Sequence, residues 1–218
     1  MNNLYKRIIT SIILLPTCII FIGAGGSYIV SLLYAILILA NYEAFSNFKR
    51  KLSIIFLDVV LVVALLSVLH LRNDTTSSFF ILIWVISITI FSDIGGYIFG
   101  KIFKWKKFTK ISPNKTLSGV FGSFIFSFMS LFILALVVKF WVNIDFSNVL
   151  KFKYFVFTIL ISFSAQIGDL SVSYLKRLEK IKDTGKFLPG HGGIFDRIDS
   201  LMLSIIAANI LYYLKLFP

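Results

Sequence analysis

The 218-residue chain has one cysteine, two histidines, four prolines and only ten acidic residues. Cys18 has no partner for an intrachain disulfide, and nothing resembles a cysteine metal site. Charged residues make up 15% of the chain, against about 25% in soluble domains. A soluble enzyme or a nucleic-acid-binding module is poorly served by so few charges. What the chain has instead is 58% hydrophobic residues, 24 of its residues phenylalanine, and a mean hydropathy of +0.91. Long uncharged apolar runs recur from end to end, so the composition describes a polytopic, all-α membrane protein without a soluble module. We expect one integral membrane domain over 1–218, with N-terminal spans in 1–100 and a motif-bearing half in 101–218.

Seven spans are expected, at about 8–23, 27–46, 52–70, 79–100, 118–138, 153–172 and 199–216. The first also has the look of a secretory signal, with a basic flank and a short apolar run. The topology works best if it stays in place. The net charge of +12 is then a matter of sidedness. With the N-terminus in the cytoplasm, seventeen of the 22 basic residues fall in cytoplasmic segments. They include Lys6, Arg7, Lys49, Arg50, Lys51, the six lysines of 101–115, and the cluster from Lys176 to Arg197. Such retention of Lys and Arg accounts for the charge without nucleic acid. It also puts two polar loops, 101–117 and 173–198, on one side.

Acids in or near spans are functional hypotheses by default, because an ionisable group there costs a few kcal/mol. Asp93 and Asp169 lie near the cytoplasmic ends of their spans, and Asp196 and Asp199 open the last one. Four carboxylates are thus placed to meet at one depth. If the sixth helix runs on, Asp169, Ser173 and Lys176 share a face. An ion pair on that face is one reading; clustered carboxylates holding a divalent cation and a phosphate substrate is the other. Asp199 also suits a helix cap. Gly95, Gly96 and Gly100 follow Asp93, and the GxxxG spacing of the last two reads as close helix packing. For Glu43 and Asp58 a structural pairing or a span end is adequate.

The stretch LKRLEKIKDTGKFLPGHGGIFDRIDS, residues 175–200, mixes acids and bases with a glycine loop at Gly185, Gly190, Gly192 and Gly193. Glycines let backbone N–H groups face an anion, and Lys176, Arg177, Lys182, Lys186 and Arg197 suffice for polyphosphate. His191 alone is weak evidence for a ligand. The other loop offers Ser112, Lys115 and Thr116 as phosphate contacts, although its lysines and Trp105 also suit anionic headgroups. No P-loop, dinucleotide fingerprint or HExxH motif is present. The expected site binds phosphates at the membrane surface, where a soluble polyphosphate meets a lipid phosphate.

The C-terminal stretch resembles the hallmark of the phosphatidate cytidylyltransferase family, the CDP-diacylglycerol synthases. The family pattern is carried by Ser173, Leu175, Lys176, Arg177, Lys182, Asp183, Gly185, Leu188, Pro189, His191, Gly192, Gly193, Ile194, Asp196, Arg197, Ile198 and Asp199. AQIGDL at 165–170 is similar to the family's lead-in. SPNKTLSG at 112–119 departs from it: Asn114, Leu117 and Ser118 stand where the family commonly has lysine, tryptophan and glutamate. The resemblance implies transfer of CMP from CTP to phosphatidic acid with Mg²⁺, and allows a second cation. It backs metal ligation by Asp169 and Asp196, and we expect Asp199 in support. Lys176, Arg177, Lys182 and Arg197 would contact phosphate, with Ser112, Lys115, Thr116, Ser173 and Asp183 also on the nucleotide side. His191, Gly192 and Gly193 would shape the nucleotide loop. It further implies a homodimer in a bacterial inner membrane with the active site facing the cytoplasm. Competing readings are a CDP-alcohol phosphotransferase, whose D-G-x-x-A-R pattern is absent, a lipid transporter, and an inactive relative.

Overall fold

The computed structural model describes residues 3–73, 76–109, 112, 115–142, 151–188 and 192–216. Seven helices account for nearly all of them: α1 (Asn3–Ala24), α2 (Gly26–Asn47), α3 (Lys51–Leu71), α4 (Thr76–Phe103), α5 (Leu117–Val142), α6 (Phe152–Leu178) and α7 (Phe195–Tyr213). There is no strand among the described residues; two isolated bridges tie loop segments. Five of the helices, α2 to α6, contain stretches long and apolar enough to cross a membrane. The chain is an all-α polytopic membrane bundle. Its surface agrees: Leu52 and Phe152 are each 82% exposed, and large apolar side chains face outward along most helices. In water that surface would be costly, whereas lipid accepts it and leaves the backbone paired within each helix.

Two apolar clusters divide the interior. One gathers Trp84, Val85, Ile88, Leu131, Phe157, Ile161 and Ala208. The other gathers Leu57, Leu61, Val172, Phe195 and Met202, nearer the polar loops. Buried hydroxyls supply cross-helix hydrogen bonds, such as Ser92 with Ser162 at 2.8 Å. The glycines after Asp93 do pack helices: a Cβ on Gly96 would press on Ser123 of α5, and one on Gly119 would meet the Gly96 carbonyl. Small residues on both helices let α4 and α5 run in near-contact, which fixes Asp93 beside the start of α5. Arg72 has a structural use. Its buried guanidinium donates to the carbonyls of Ile22 (2.9 Å) and Gly23 (3.2 Å) at the end of α1, where a helix exposes unpaired acceptors and a partial negative charge.

At the polar loops, three helix ends differ from the expected spans by three residues or more. The fourth and sixth helices continue to Phe103 and Leu178, past the expected ends at 100 and 172, because the polar turns at the membrane surface remain helical. The last begins at Phe195 rather than 199. Asp199 is therefore one turn inside α7 and does not cap it.

α6 stops in a Schellman turn. Ile181 N–H donates to Lys176 O (2.9 Å), Lys180 N–H to Arg177 O (3.1 Å), and Lys180 takes the left-handed conformation at φ 58°. The turn delivers Glu179 to the start of α3. There its carboxylate accepts from the amides of Lys49 and Arg50, both at 3.1 Å, and from Ser53 Oγ at 2.9 Å. Desolvation alone would raise this carboxyl. The Lys49 amide, the Ser53 hydroxyl, and the amide and charge of Arg50 outweigh it and hold Glu179 below the ordinary glutamate range. A carboxyl lowered on folding stabilises above its unfolded value, near 4.5, and loses that contribution as pH falls through its folded value. Glu179→Gln is accordingly expected to be less stable than the parent at neutral pH, with the gap closing below about pH 4.5. Thermal unfolding of both proteins in detergent across that range measures it.

Candidate functional site

Both polar loops close onto the same end of the bundle. The first is a small hairpin: Phe108 N–H donates to Lys115 O (2.8 Å) and Leu117 N–H to Lys106 O (3.0 Å). It turns Ser112 and Lys115 back over the start of α5. Thr116 caps that helix, its Oγ1 accepting from the Gly119 amide at 3.1 Å. Ser118, one of the departures from the family pattern, is buried and hydrogen-bonds Thr116 Oγ1 at 2.9 Å. That position supports the cap. Asn114 lies outside the described residues.

A cavity of about 290 Å³ opens beside this hairpin. Its polar wall is Asp93, Ser112, Lys115, Thr116, Gln166 and Asp169. Lys115 Nζ and Asp169 Oδ2 are 2.7 Å apart, both partly exposed to the cavity. Ser173 Oγ donates to Asp169 Oδ1 at 3.2 Å, one turn further along α6, so the expected shared face exists. Asp93 accepts from Ser200 Oγ at 2.9 Å and so meets α7. The buried Gln166 Nε2 has no hydrogen-bond partner although it borders the cavity. An unsatisfied buried donor costs about 1–3 kcal/mol, which a bound acceptor would offset. Sequence reasoning passed over Gln166; its place three residues before Asp169, on the same helix face, was the available signal.

The second loop is organised around Asp196. Oδ1 pairs with Lys176 Nζ at 2.7 Å, with side chains 8% and 11% exposed. Oδ2 accepts from the amides of Thr184 (2.8 Å) and Gly193 (3.0 Å). Lys176 thus reaches forward to Asp196 rather than back to Asp169. Asp199 Oδ1 accepts from the Ser200 amide at 2.9 Å. It stands within electrostatic reach of Asp169, Asp93 and Lys176, which joins the two loops into one charged site. The amides of Ile194 and Phe195 face Glu43 on α2, at 2.6 and 3.2 Å. The amides of Thr184, Gly193, Ile194 and Phe195 therefore face the protein's own carboxylates. Gly192 adopts φ 85°, a conformation that glycine tolerates best.

The remaining predicted residues sit at the rim. Arg177 is exposed and its Nη1 donates to Ile181 O at 3.2 Å, closing the turn after α6. Lys182, Asp183 and Arg197 are exposed. His191 lies outside the described residues, as do Pro189 and Gly190.

Among the described residues, two of the four carboxylates form ion pairs with lysine, Asp169 with Lys115 and Asp196 with Lys176, while Asp93 and Asp199 form none. Among the described residues, no three acidic, cysteine or histidine side chains converge in a ready-made cage. All-oxygen donors, an excess of negative charge and an open cavity fit Mg²⁺, which keeps several waters and needs only one or two carboxylates.

Comparison with known proteins bears on what such a site does. The model of the cytidylyltransferase family matches residues 45–215. The phosphatidate cytidylyltransferase of Rickettsia bellii is 31% identical over 225 residues, covering 98% of this chain and 91% of that protein. The enzyme of the same name from Rickettsia felis is 32% identical over 227 residues, covering 99% and 93%. That of Helicobacter pylori (strain J99) is 36% identical over 143 residues, 61% of this chain and 47% of the relative. The matched segment contains both loops, all four carboxylates and both paired lysines. A bundle that brings those groups together at one end, and a match that runs through all of them, have one explanation: the chain belongs to the cytidylyltransferase family.

Proposed function

We propose that this protein is a phosphatidate cytidylyltransferase, making CDP-diacylglycerol and pyrophosphate from CTP and phosphatidic acid. The observation that carries this reading is the cavity on which Asp93, Asp169, Lys115, Ser112 and Gln166 converge at the loop end of an apolar bundle. A nucleotide triphosphate can reach it from water and a lipid phosphate from the bilayer. A phosphate oxygen of phosphatidic acid attacks the α-phosphorus of CTP, one P–O bond forms, and the bond to the β-phosphate breaks. No general base is needed, because the attacking phosphate is already ionised at neutral pH.

Two anions must meet, so the residues chiefly screen and stabilise charge. Lys115 and Lys176, each paired with a carboxylate, are the cations nearest the reacting phosphates. Ser112, Thr116 and Ser173 offer hydroxyls beside them, and Arg177, Lys182 and Arg197 surround the entry. Asp183, His191, Gly192 and Gly193 belong to the nucleotide loop. Mg²⁺ would be held by Asp169, with Asp196 contributing the oxygen that Lys176 occupies and Asp199 in support. When bound it supplies Lewis-acid stabilisation of the phosphoryl charge, and a second cation fits the same acidic group. We further infer that the protein acts as a single catalytic unit over 1–218 and as a homodimer. We place it in a bacterial inner membrane, N-terminus and site toward the cytoplasm.

Purified protein in detergent, given CTP, phosphatidic acid and Mg²⁺, is expected to release pyrophosphate in step with CDP-diacylglycerol. Folded protein that releases none, with or without the metal, would refute the reading.

A further inference from the structure

Glu43 is a carboxylate that neither loop motif contains. It sits on α2, two residues before the segment matched by the family model, and is 2% exposed. Burying a carboxylate is expensive unless it is paired or hydrogen-bonded. Among the described residues no cation forms an ion pair with it. Its partners are backbone: Oε2 accepts from the Ile194 amide at 2.6 Å and Oε1 from the Phe195 amide at 3.2 Å. These are the amides of the α7 N-cap, Ile194, and of the first residue of the helix, and Ile194 has no side chain able to serve them. An anion at a helix N-terminus is favoured by unpaired N–H groups and by the helix dipole. Glu43 thus caps α7 from a helix 151 residues away.

The loop is shaped around this carboxylate. A Cβ on Gly185 would lie 2.8 Å from Glu43 Oε2, and one on Gly193 would collide with Oε1. Both glycines are needed for the loop to close over Glu43. On the far side of Gly193, the amides of Gly193 and Thr184 bind Asp196. Two carboxylates, one from α2 and one from α7, therefore fasten successive amides of the same turn. Release of Glu43 would free Ile194 and Phe195, the two residues before Asp196, and with them the Asp196–Lys176 pair.

We propose that Glu43 is a positioning residue for cytidylyl transfer: it fixes the first turn of α7 and the glycine loop in the arrangement that receives the nucleotide. The inference rests on the cytidylyltransferase reading above. Glu43→Gln tests it, because the amide keeps the size of the side chain but turns one acceptor into a donor facing a backbone donor. The expected result is a rise in KM for CTP of about tenfold, with KM for phosphatidic acid unchanged. Faster hydrogen exchange at Ile194 and Phe195 is expected, with α5 unaffected. Glu43→Asp, which keeps the charge, should recover part of the CTP affinity. Kinetic constants per folded protein equal to the parent's overturn the proposal, as does an equal rise in both KM values. If the parent turns over CTP and the variant matches it, only this inference falls. If the folded parent neither binds nor turns over CTP, the reaction reading fails and this inference falls with it.

Discussion

Asp169→Asn is expected to lower kcat/KM for cytidylyl transfer at least about 1000-fold, roughly 4 kcal/mol of transition-state stabilisation, while the protein stays folded. The substitution is nearly isosteric. An asparagine oxygen can still accept from Ser173 Oγ, which lies 3.2 Å from Asp169 Oδ1. The charge is lost, and the oxygen that faces Lys115 becomes an N–H donor. That charge now holds Lys115 at 2.7 Å on the wall of the cavity, and Asp169 is about a third exposed there. An ion pair so open to solvent is worth no more than about 1 kcal/mol, so stability should change little. Catalysis has no such margin, since Asp169 is the acid that would hold the metal and position Lys115. Pyrophosphate release and thermal unfolding, measured on the same detergent preparation, separate the two effects. Full activity in the variant would refute the assignment of metal binding to Asp169.

Lys176→Met should have the opposite balance, with a large cost in stability as well as in activity. Lys176 and Asp196 are among the most enclosed charges described, with side chains 11% and 8% exposed. Methionine retains most of the apolar stem, but Asp196 is left with two amides and no cation. Breaking one partner out of a buried pair costs about 3–5 kcal/mol, because the other charge stays buried. Asp196 holds the amides of Thr184 and Gly193, so the transition should also broaden. The double variant Lys176→Met with Asp196→Asn tests the cause. Removing both charges should recover part of the stability, since an asparagine oxygen can still accept an amide, yet it should not recover transfer. A single variant as stable as the parent would show that the pair does not hold the loop. Unfolding midpoints of the parent, both single variants and the double variant give the coupling directly.

The bundle was legible in the sequence because lipid imposes a simple rule. A span must be long, apolar and helical, and its polar ends must stay in water. Seven runs and the asymmetry of Lys and Arg therefore led to seven helices with both polar loops at one end. The shared face of Asp169 and Ser173 followed from helical spacing alone, and the GxxxG reading from the absence of side chains. All four carboxylates were visible as acids near the ends of apolar spans.

Pairing was not legible. Lys176 lies on the same helix face as Asp169, seven residues away, yet its ammonium goes to Asp196, because the turn after α6 brings α7 alongside. Asp199 had the spacing of a cap and lies instead inside α7, because that helix begins four residues earlier than its apolar run suggests. Glycines and lysines suggested amides turned toward a phosphate, but Thr184, Gly193, Ile194 and Phe195 face carboxylates of the chain itself. Glu43 carried no signal, since one acid in an apolar helix can be a span end as easily as a distant cap. By itself the sequence determined the membrane architecture and the family, because each is set by local composition or by order along the chain. Only the tertiary structure decided which partner each acid meets, because those partners lie up to 152 residues apart and meet only where helices pack.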